Sequence, residues 1–342
     1  MNANIGSTAP TATRSWSAHG ASKPNIHIGT DLITFFNPGY WDLPTNLPHE
    51  SFEKIVDESP LSYFERMLDG CREAGLDGIE LAPSPGGWTN ALRAYGSAQG
   101  VGEALSSRGL KLGTSYQPSG HVIAEVLAGE VTTAEADDYV RRHAEFVAEL
   151  GGEIIVMGTV PRLSLPEEDY ESVSDSSMEL VADHVNRLGA VAHEFGVVTA
   201  LHTDAYSVCS RAPEIARMMN LTEPAFVKLC PDAGHISLDG GDAAEILAEN
   251  VGRVPVMHWK DCAHPLDGRH LAGNGWQRHE RMLKNFRVLG SGFVDWKRWQ
   301  NVLKDAHWQG WAIAEIDMSP DPIGEIREGI RYFINELGPI YR

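Results

Sequence analysis

Residues 225–242, AFVKLCPDAGHISLDGGD, hold the pattern that decides the fold. An apolar, partly β-branched run ends in a proline and an aspartate, and a segment of mixed polarity follows directly. A short run that is apolar on both faces predicts a strand of a parallel sheet covered by helices. The aspartate at its end then lies where such sheets place functional side chains.

Seven further runs of the same kind occur along the chain, and segments with helical periodicity separate them. The runs cover residues 25–35, 76–83, 110–116, 152–159, 196–204, 254–261 and 310–317. Eight strand–helix units predict a closed (β/α)8 TIM barrel of the α/β class rather than an open sheet. No GxGxxG motif follows the first run, so a dinucleotide-binding fold is not expected.

The chain is long for a single domain, but barrels with insertions reach its 342 residues. Residues 1–24 are rich in Ser, Thr and Ala and lack the apolar core of a secretory signal, so we expect a flexible N-terminal tail. Residues 25–342 form the predicted single catalytic barrel. An irregular stretch at 262–292, after the seventh strand, is the predicted insertion loop at the active-site face.

Charge and composition exclude several classes of function. The formal net charge of −19 disfavours binding to nucleic acids or anionic membranes. No apolar stretch reaches the roughly 18 residues that a transmembrane helix needs. The four cysteines show no CxxC spacing, which argues against disulfides and against a cysteine zinc site. A reduced, cytoplasmic setting is therefore expected.

The late strands end in a series of polar side chains. They are His202, Asp232, His258 and Glu315, and each follows an apolar run. A single histidine or aspartate at a strand end is more often structural or a helix cap, but four on successive strands converge at one mouth of a barrel. Two imidazoles and two carboxylates predict one divalent metal ion, with Mn²⁺ favoured and Co²⁺, Fe²⁺, Zn²⁺ or Mg²⁺ as alternatives.

Other polar residues at strand ends are candidates for catalysis. Glu80 ends the second strand, His121 follows the third, and His235 comes three residues after Asp232; any of them could serve as general acid or base, or could be structural. Lys260 could bind substrate, or could pair with the adjacent Asp261.

Aromatic residues are concentrated in two segments at the predicted active-site face. Phe36, Tyr40 and Trp41 follow the first strand, and Trp276 lies in the insertion loop. Flat apolar faces suit a sugar or an aromatic group, so we expect these segments to form opposite walls of a substrate pocket. The alternative is that the aromatics cover helix ends or contact another subunit.

The late segments PDAGHISLDGGD, VPVMHWKDC and GSGFVDWKRWQNVLKDAHWQGWAIAEID resemble the last three strand units of the xylose-isomerase-like barrels, the sugar phosphate isomerase/epimerase superfamily. That resemblance implies a metal held by strands five to eight. Asp232, His258 and Glu315 match the family pattern. The first ligand is commonly glutamate in the family, whereas this chain has His202, which resembles the inosose dehydratases.

The opening GTDLITFFNPGYW, residues 29–41, resembles the large subunit of C-glycoside deglycosidases, which pair a barrel with a small β-rich subunit. The resemblance implies an oligomeric lyase that takes the α-proton of a 3-keto C-glycoside and cleaves the bond to the aglycone by β-elimination. Inosose dehydratase and a sugar isomerase or epimerase are the alternatives. A nuclease of the same barrel type is disfavoured by the charge, and a non-catalytic binding subunit is the remaining class.

Overall fold

The computed structural model describes residues 26–165, 172–267 and 275–341, and the side chains of His121, Gly275, Trp276 and Arg278 are left aside. The predicted tail at 1–24 and the middle of the insertion loop lie outside these residues. Within them, every helix is too short or too polar to cross a lipid bilayer.

Eight parallel strands form the barrel, as the sequence predicts. Their order is β6-β5-β4-β3-β2-β1-β10-β7, and a parallel bridge between Asp232 and His258 joins the two ends. The His258 N–H donates to the Pro231 carbonyl at 3.1 Å across this junction. The barrel strands are β1 (Ile26–Asp31), β2 (Gly78–Leu81), β3 (Lys111–Gln117), β4 (Ile154–Met157), β5 (Val198–His202), β6 (Val227–Cys230), β7 (Val256–Trp259) and β10 (Gly310–Ala314), and a short hairpin of β8 (Asp261–Cys262) and β9 (Phe286–Arg287) lies between the last two.

Helices cover the outside of the barrel. Their apolar faces pack on the strands, and polar residues cap the N-termini of several of them. Thr132 and Glu135 form a reciprocal capping box at the start of the helix Thr133–Glu149. The helices are α1 (His49–Glu58), α2 (Pro60–Ala74), α3 (Trp88–Tyr95), α4 (Ala98–Ser106), α5 (Glu125–Leu127), α6 (Thr133–Glu149), α7 (Asp175–His193), α8 (Ala212–Leu221), α9 (Ala233–Leu238), α10 (Ala243–Asn250), α11 (Gly275–Leu283), α12 (Trp296–Asp305), α13 (Pro322–Tyr332) and α14 (Gly338–Tyr341).

Side chains from the strands fill the interior of the barrel below the site. Trp311 of β10 lies against Gly78 and Gly113, and a Cβ at either glycine would come within 2.8 Å of the indole. Glycine is therefore required at these positions of β2 and β3 for the ring to fit inside the barrel. Apolar residues such as Val156 and Val256 complete the filling of the interior, and the cavity described below lies above them, at the carboxyl ends of the strands.

The insertion after β7 is anchored by one buried carboxylate. Asp261 receives hydrogen bonds of 2.8–3.1 Å from four backbone N–H groups and one indole, those of Cys262, Gly290, Gly292, Val294 and Trp296. Most of these donors lie where the chain returns from the insertion to the barrel. Their bonds to Asp261 hold the described parts of the insertion, including α11 and the β8–β9 hairpin, over the barrel mouth.

Candidate metal centre and cavity

The four predicted metal ligands converge at the carboxyl ends of β5, β6, β7 and β10. The Asp232 Oδ2 atom lies 3.4 Å from His202 Nε2 and 3.8 Å from His258 Nδ1. Glu315 Oε2 lies 2.7 Å from His258 Nδ1. All four side chains are buried, and ligand atoms of the two histidines and Asp232 lie within 4.8 Å of one another.

These residues fit a divalent metal ion. His202 Nε2, Asp232 Oδ2, His258 Nδ1 and Glu315 Oε2 are all buried, and none has a hydrogen-bond partner of acceptable geometry among the described residues. Buried polar atoms without partners are costly and rare in proteins. Two imidazole nitrogens and two carboxylate oxygens with free lone pairs form a donor set that a transition-metal dication satisfies.

Both histidines carry a carboxylate on the ring nitrogen that faces away from this donor set. Asp204 Oδ1 lies 2.9 Å from His202 Nδ1, and Glu80 Oε1 lies 2.9 Å from His258 Nε2. Carboxylates in this position orient metal-binding histidines. Glu80 is fully buried and also accepts a hydrogen bond from the Thr114 hydroxyl. The structure therefore places this candidate acid or base behind His258 rather than on the cavity.

Lys260 lies beside the metal ligands. Its Nζ is 2.9 Å from Glu315 Oε1, 2.8 Å from Asp317 Oδ1 and 3.2 Å from His235 Nε2. Burial alone would lower the pKa of Lys260, but Asp317, Glu315 and Asp232 raise it well above its usual value. The side chain is therefore a fixed cation at the floor of the site.

His235 is an uncharged imidazole next to this cation. Burial lowers the pKa of His235 to about 3, and the charge of Lys260 adds to the effect. The backbone N–H of Ala205 donates to its Nδ1 at 3.0 Å, which fixes the ring, and His235 lines the cavity as the sequence predicts for a catalytic candidate.

A cavity of about 450 Å³ opens above the ligands. One wall is α1, which contributes His49 and Glu53; another is α11 of the insertion, which contributes His279 and Met282. Burial, with the charge of Lys260, lowers the pKa of His279 to about 4. The expected wall from the insertion is therefore present.

The aromatic wall expected after the first strand is not. Phe36, Tyr40 and Trp41 are absent from the cavity lining. The chain winds through two 3-10 turns, Leu32–Phe35 and Pro38–Trp41, and the Trp41 ring packs 4.4 Å from that of Tyr63 in α2. These turns direct the aromatics onto the helices, and α1 takes their place at the cavity.

Two predicted site residues cannot be placed. The side chains of His121 and Trp276 lie outside the described residues; the backbone of His121 belongs to a turn at Gly120–Ala124, and that of Trp276 to α11.

Three carboxylates and a tyrosine at the site were not predicted from the sequence. Asp31, Asp204, Asp317 and Tyr116 all line the cavity. A signal was present for two of them, because Asp204 and Asp317 each follow a predicted ligand by two residues, and extended chain returns to the same face at that spacing. Burial, together with the charges of Glu80 and Glu315, raises the pKa of Asp31 well above its usual value.

A parallel barrel with a cluster of potential metal ligands at the carboxyl ends of its strands is typical of metal-dependent barrel enzymes. Comparison with known families narrows this class. The family described as xylose isomerase-like TIM barrel matches residues 68–336, and the chain belongs to it.

Individual relatives agree with this assignment. Inosose dehydratase of Salmonella agona (strain SL483) is 26% identical over 329 residues, which are 92% of this chain and 97% of the relative. The probable 3-DHS dehydratase AsbF of Bacillus anthracis superimposes with a TM-score of 0.65 at 11% identity, covering 91% of this chain and 99% of that one. A zinc-bound IolI protein gives 0.65 at 15% identity, covering 92% and 99%. The prediction of an enzyme is confirmed.

Proposed function

We propose that the chain is a divalent-metal-dependent lyase that acts on a keto-sugar or a keto-cyclitol. The observation that carries the proposal is the convergence of four buried ligand atoms without hydrogen-bond partners among the described residues, at the floor of a cavity; they belong to His202, Asp232, His258 and Glu315. A metal ion bound there supplies Lewis acidity, which makes the proton next to a ketone easier to remove.

The chain's own residues supply the rest of an elimination. Lys260 Nζ presents a fixed positive charge to an oxygen that becomes negative as the proton leaves. His235, in α9 after β6, and Asp31, at the end of β1, both line the cavity, and these two strands lie nearly across the barrel from each other. The α-proton passes to a titratable group that lines the cavity, and the Asp31 carboxyl, whose pKa is raised, gives its proton to the group that leaves from the β-carbon.

Dehydration of an inosose is one form of this reaction, with water as the leaving group. Its support is the inosose dehydratase relative, which aligns over 92% of the chain. The presence of a histidine at position 202 is in keeping with this substrate class.

Cleavage of a 3-keto C-glycoside is the second form, with an aromatic aglycone as the leaving group. The cavity favours it, because about 450 Å³ lies within the ~300–1,000 Å³ of pockets that enclose drug-sized ligands. Ile33, Pro83, Pro161 and Met282 add apolar surface against which an aglycone would pack. A small β-rich partner subunit, an oligomeric state and a cytoplasmic location remain predictions.

Turnover of two keto substrates tests the proposal. The protein with Mn²⁺ is incubated with a 3-keto C-glucoside and separately with 2-keto-myo-inositol, with and without a small β-rich subunit. We expect elimination from at least one substrate, none from the unoxidised C-glucoside, and none from Asp232→Asn. Proton exchange or epimerisation without elimination would contradict a lyase and support an isomerase. The product identifies the leaving group.

A further inference from the structure

We propose that Asp204 is a positioning residue that holds the ring of His202 in the state that binds metal. The two side chains are joined by the 2.9 Å contact between Asp204 Oδ1 and His202 Nδ1. The inference rests on the metal centre of the proposed function, but it does not depend on which substrate is turned over.

Asp204 is itself held in place by β3 and by the loop that follows β4. Its Oδ2 accepts a hydrogen bond from the backbone N–H of Thr159 at 3.3 Å and one from the Tyr116 hydroxyl at 3.4 Å. A carboxylate with one oxygen fixed in this way presents the other in a defined direction. That second oxygen faces the imidazole of His202.

This contact decides which nitrogen of His202 carries the proton. When Nδ1–H donates to Asp204, the lone pair of the neutral ring lies on Nε2. Nε2 lies 3.4 Å from Asp232 Oδ2, a longer contact than the 2.9 Å between Nδ1 and Asp204 Oδ1, so the proton belongs to the shorter contact and Nε2 faces the other candidate ligands. The carboxylate also increases the basicity of the ring, which strengthens a bond from Nε2 to a cation.

The alternative hypothesis is that Asp204 contacts only the substrate. Its side chain is 29% exposed and lines the cavity, so a sugar hydroxyl could reach it. The two readings differ in the absence of substrate. A positioning residue changes metal affinity in the resting protein, whereas a residue that contacts only substrate leaves that affinity unchanged.

A double-mutant cycle on metal affinity separates the two readings. Glutamate at position 202 would bind metal through an oxygen and has no tautomer to fix. The affinity for Zn²⁺ and for Mn²⁺ is measured on the metal-free protein by competition with a chelator. The four proteins are wild type, Asp204→Asn, His202→Glu and His202→Glu/Asp204→Asn. Asp305→Asn, at an exposed carboxylate of α12, is the matched control.

We expect Asp204→Asn to weaken metal binding by ~10–100-fold when His202 is present, the usual cost of losing such a partner. In the His202→Glu background the same change should alter affinity by less than about threefold, because the ring it orients is gone. Wild-type affinity in Asp204→Asn, or equal losses in both backgrounds, would overturn the proposal.

Nuclear magnetic resonance of the histidine nitrogens decides the case if His202→Glu holds no metal. In the zinc-loaded wild type we expect the His202 proton on Nδ1; a proton on Nε2 overturns the proposal. The outcomes are distinct from those of the proposed function. If metal binding depends on Asp204 but neither keto substrate is turned over, only the proposed lyase activity is contradicted. If a substrate is turned over but metal binding does not depend on Asp204, only this inference is contradicted.

Discussion

Asp232 and Asp261 are both fully buried carboxylates that follow late barrel strands, yet their surroundings are opposite. Asp261 is surrounded by donors, the N–H groups of Cys262, Gly290, Gly292, Val294 and Trp296. Asp232 has one such bond, from the His235 backbone to Oδ1 at 2.8 Å, while its Oδ2 faces two imidazoles and Lys260 without a hydrogen bond.

The difference separates a carboxylate that stabilises the fold from one that is kept for a ligand. Neutral N–H groups satisfy Asp261, so its burial fixes the insertion. The fold leaves Oδ2 of Asp232 unsatisfied, and that cost is recovered only when a cation binds. Burial alone would raise the pKa of Asp232, but the charge of Lys260 holds it below its usual range, which keeps the carboxylate charged.

Removal of the structural carboxylate should produce the largest effect on stability. Asp261→Ala leaves several donors of the insertion without an acceptor, and we expect the free energy of unfolding to fall by about 3 kcal/mol. Urea denaturation measures this loss, with Asp305→Ala as the exposed control. A loss below about 1 kcal/mol would remove the distinction between the two carboxylates.

Removal of the charge at the other carboxylate should affect function instead. Asp232→Asn keeps an oxygen to cap α9 but loses the anionic ligand, so we expect turnover to fall by at least ~100-fold, the upper end for loss of an outer-shell partner. The stability of the metal-free protein should fall by less than in Asp261→Ala, because the bond from the His235 backbone is kept and only the attraction of Lys260 is lost. A loss of stability as large as that of Asp261→Ala would contradict the distinction between the two carboxylates.

The barrel and the convergence of the four candidate metal ligands were predictable because both depend on short-range patterns. A run such as 225–232 identifies a strand by its apolar character, and the convergence of its end with others follows from the barrel. The prediction that Lys260 and Asp261 could pair shows a limit. The alternation of an extended chain sends Lys260 toward the cavity with His258 and turns Asp261 outward, where its donors come from residues about thirty positions away.

The conformation of the loops at the active-site face could not be predicted from the sequence. Phe36 and Trp41 have the composition of a sugar-binding wall, but two 3-10 turns decide where they point. His49 and His279 reach the cavity from helices outside the barrel, and neither follows a strand end. Their positions depend on helix packing, which no local motif records.

A buried histidine outside the site shows the same contrast with the candidate metal ligands. Both ring nitrogens of His143 have hydrogen-bond partners. Its Nε2 lies 2.7 Å from the Ser115 hydroxyl and its Nδ1 3.1 Å from Gln117 Oε1. Burial lowers the pKa of His143 from 6.5 to about 3. The folded state therefore keeps the ring neutral, while the unfolded chain binds a proton below pH 6.5, so stability present above this pH is lost as the pH falls toward 3.

We expect wild type to lose about 2 kcal/mol more than His143→Gln between about pH 7 and pH 5, at ~1.4 kcal/mol per pH unit below 6.5. Urea denaturation across this range measures the difference in slope. Parallel slopes for the two proteins would show that His143 titrates normally in the fold.

The smallest effect is expected at Trp41, whose ring lies outside the cavity. Its Nε1–H donates to the Phe35 carbonyl at 2.7 Å, so Trp41→Phe should cost about 1 kcal/mol of stability. We expect kcat and KM to stay within about twofold of wild type. A rise in KM of about tenfold would show that Trp41 contacts the substrate.

Anomalous scattering from crystals of the protein grown with Mn²⁺ tests the central claim most directly. The account predicts a single strong peak in contact with His202 Nε2, Asp232 Oδ2, His258 Nδ1 and Glu315, and its loss in crystals of Asp232→Asn. A peak bonded to other residues, or an unchanged peak in the variant, would contradict the assignment of Asp232 as the carboxylate that the fold keeps for a metal.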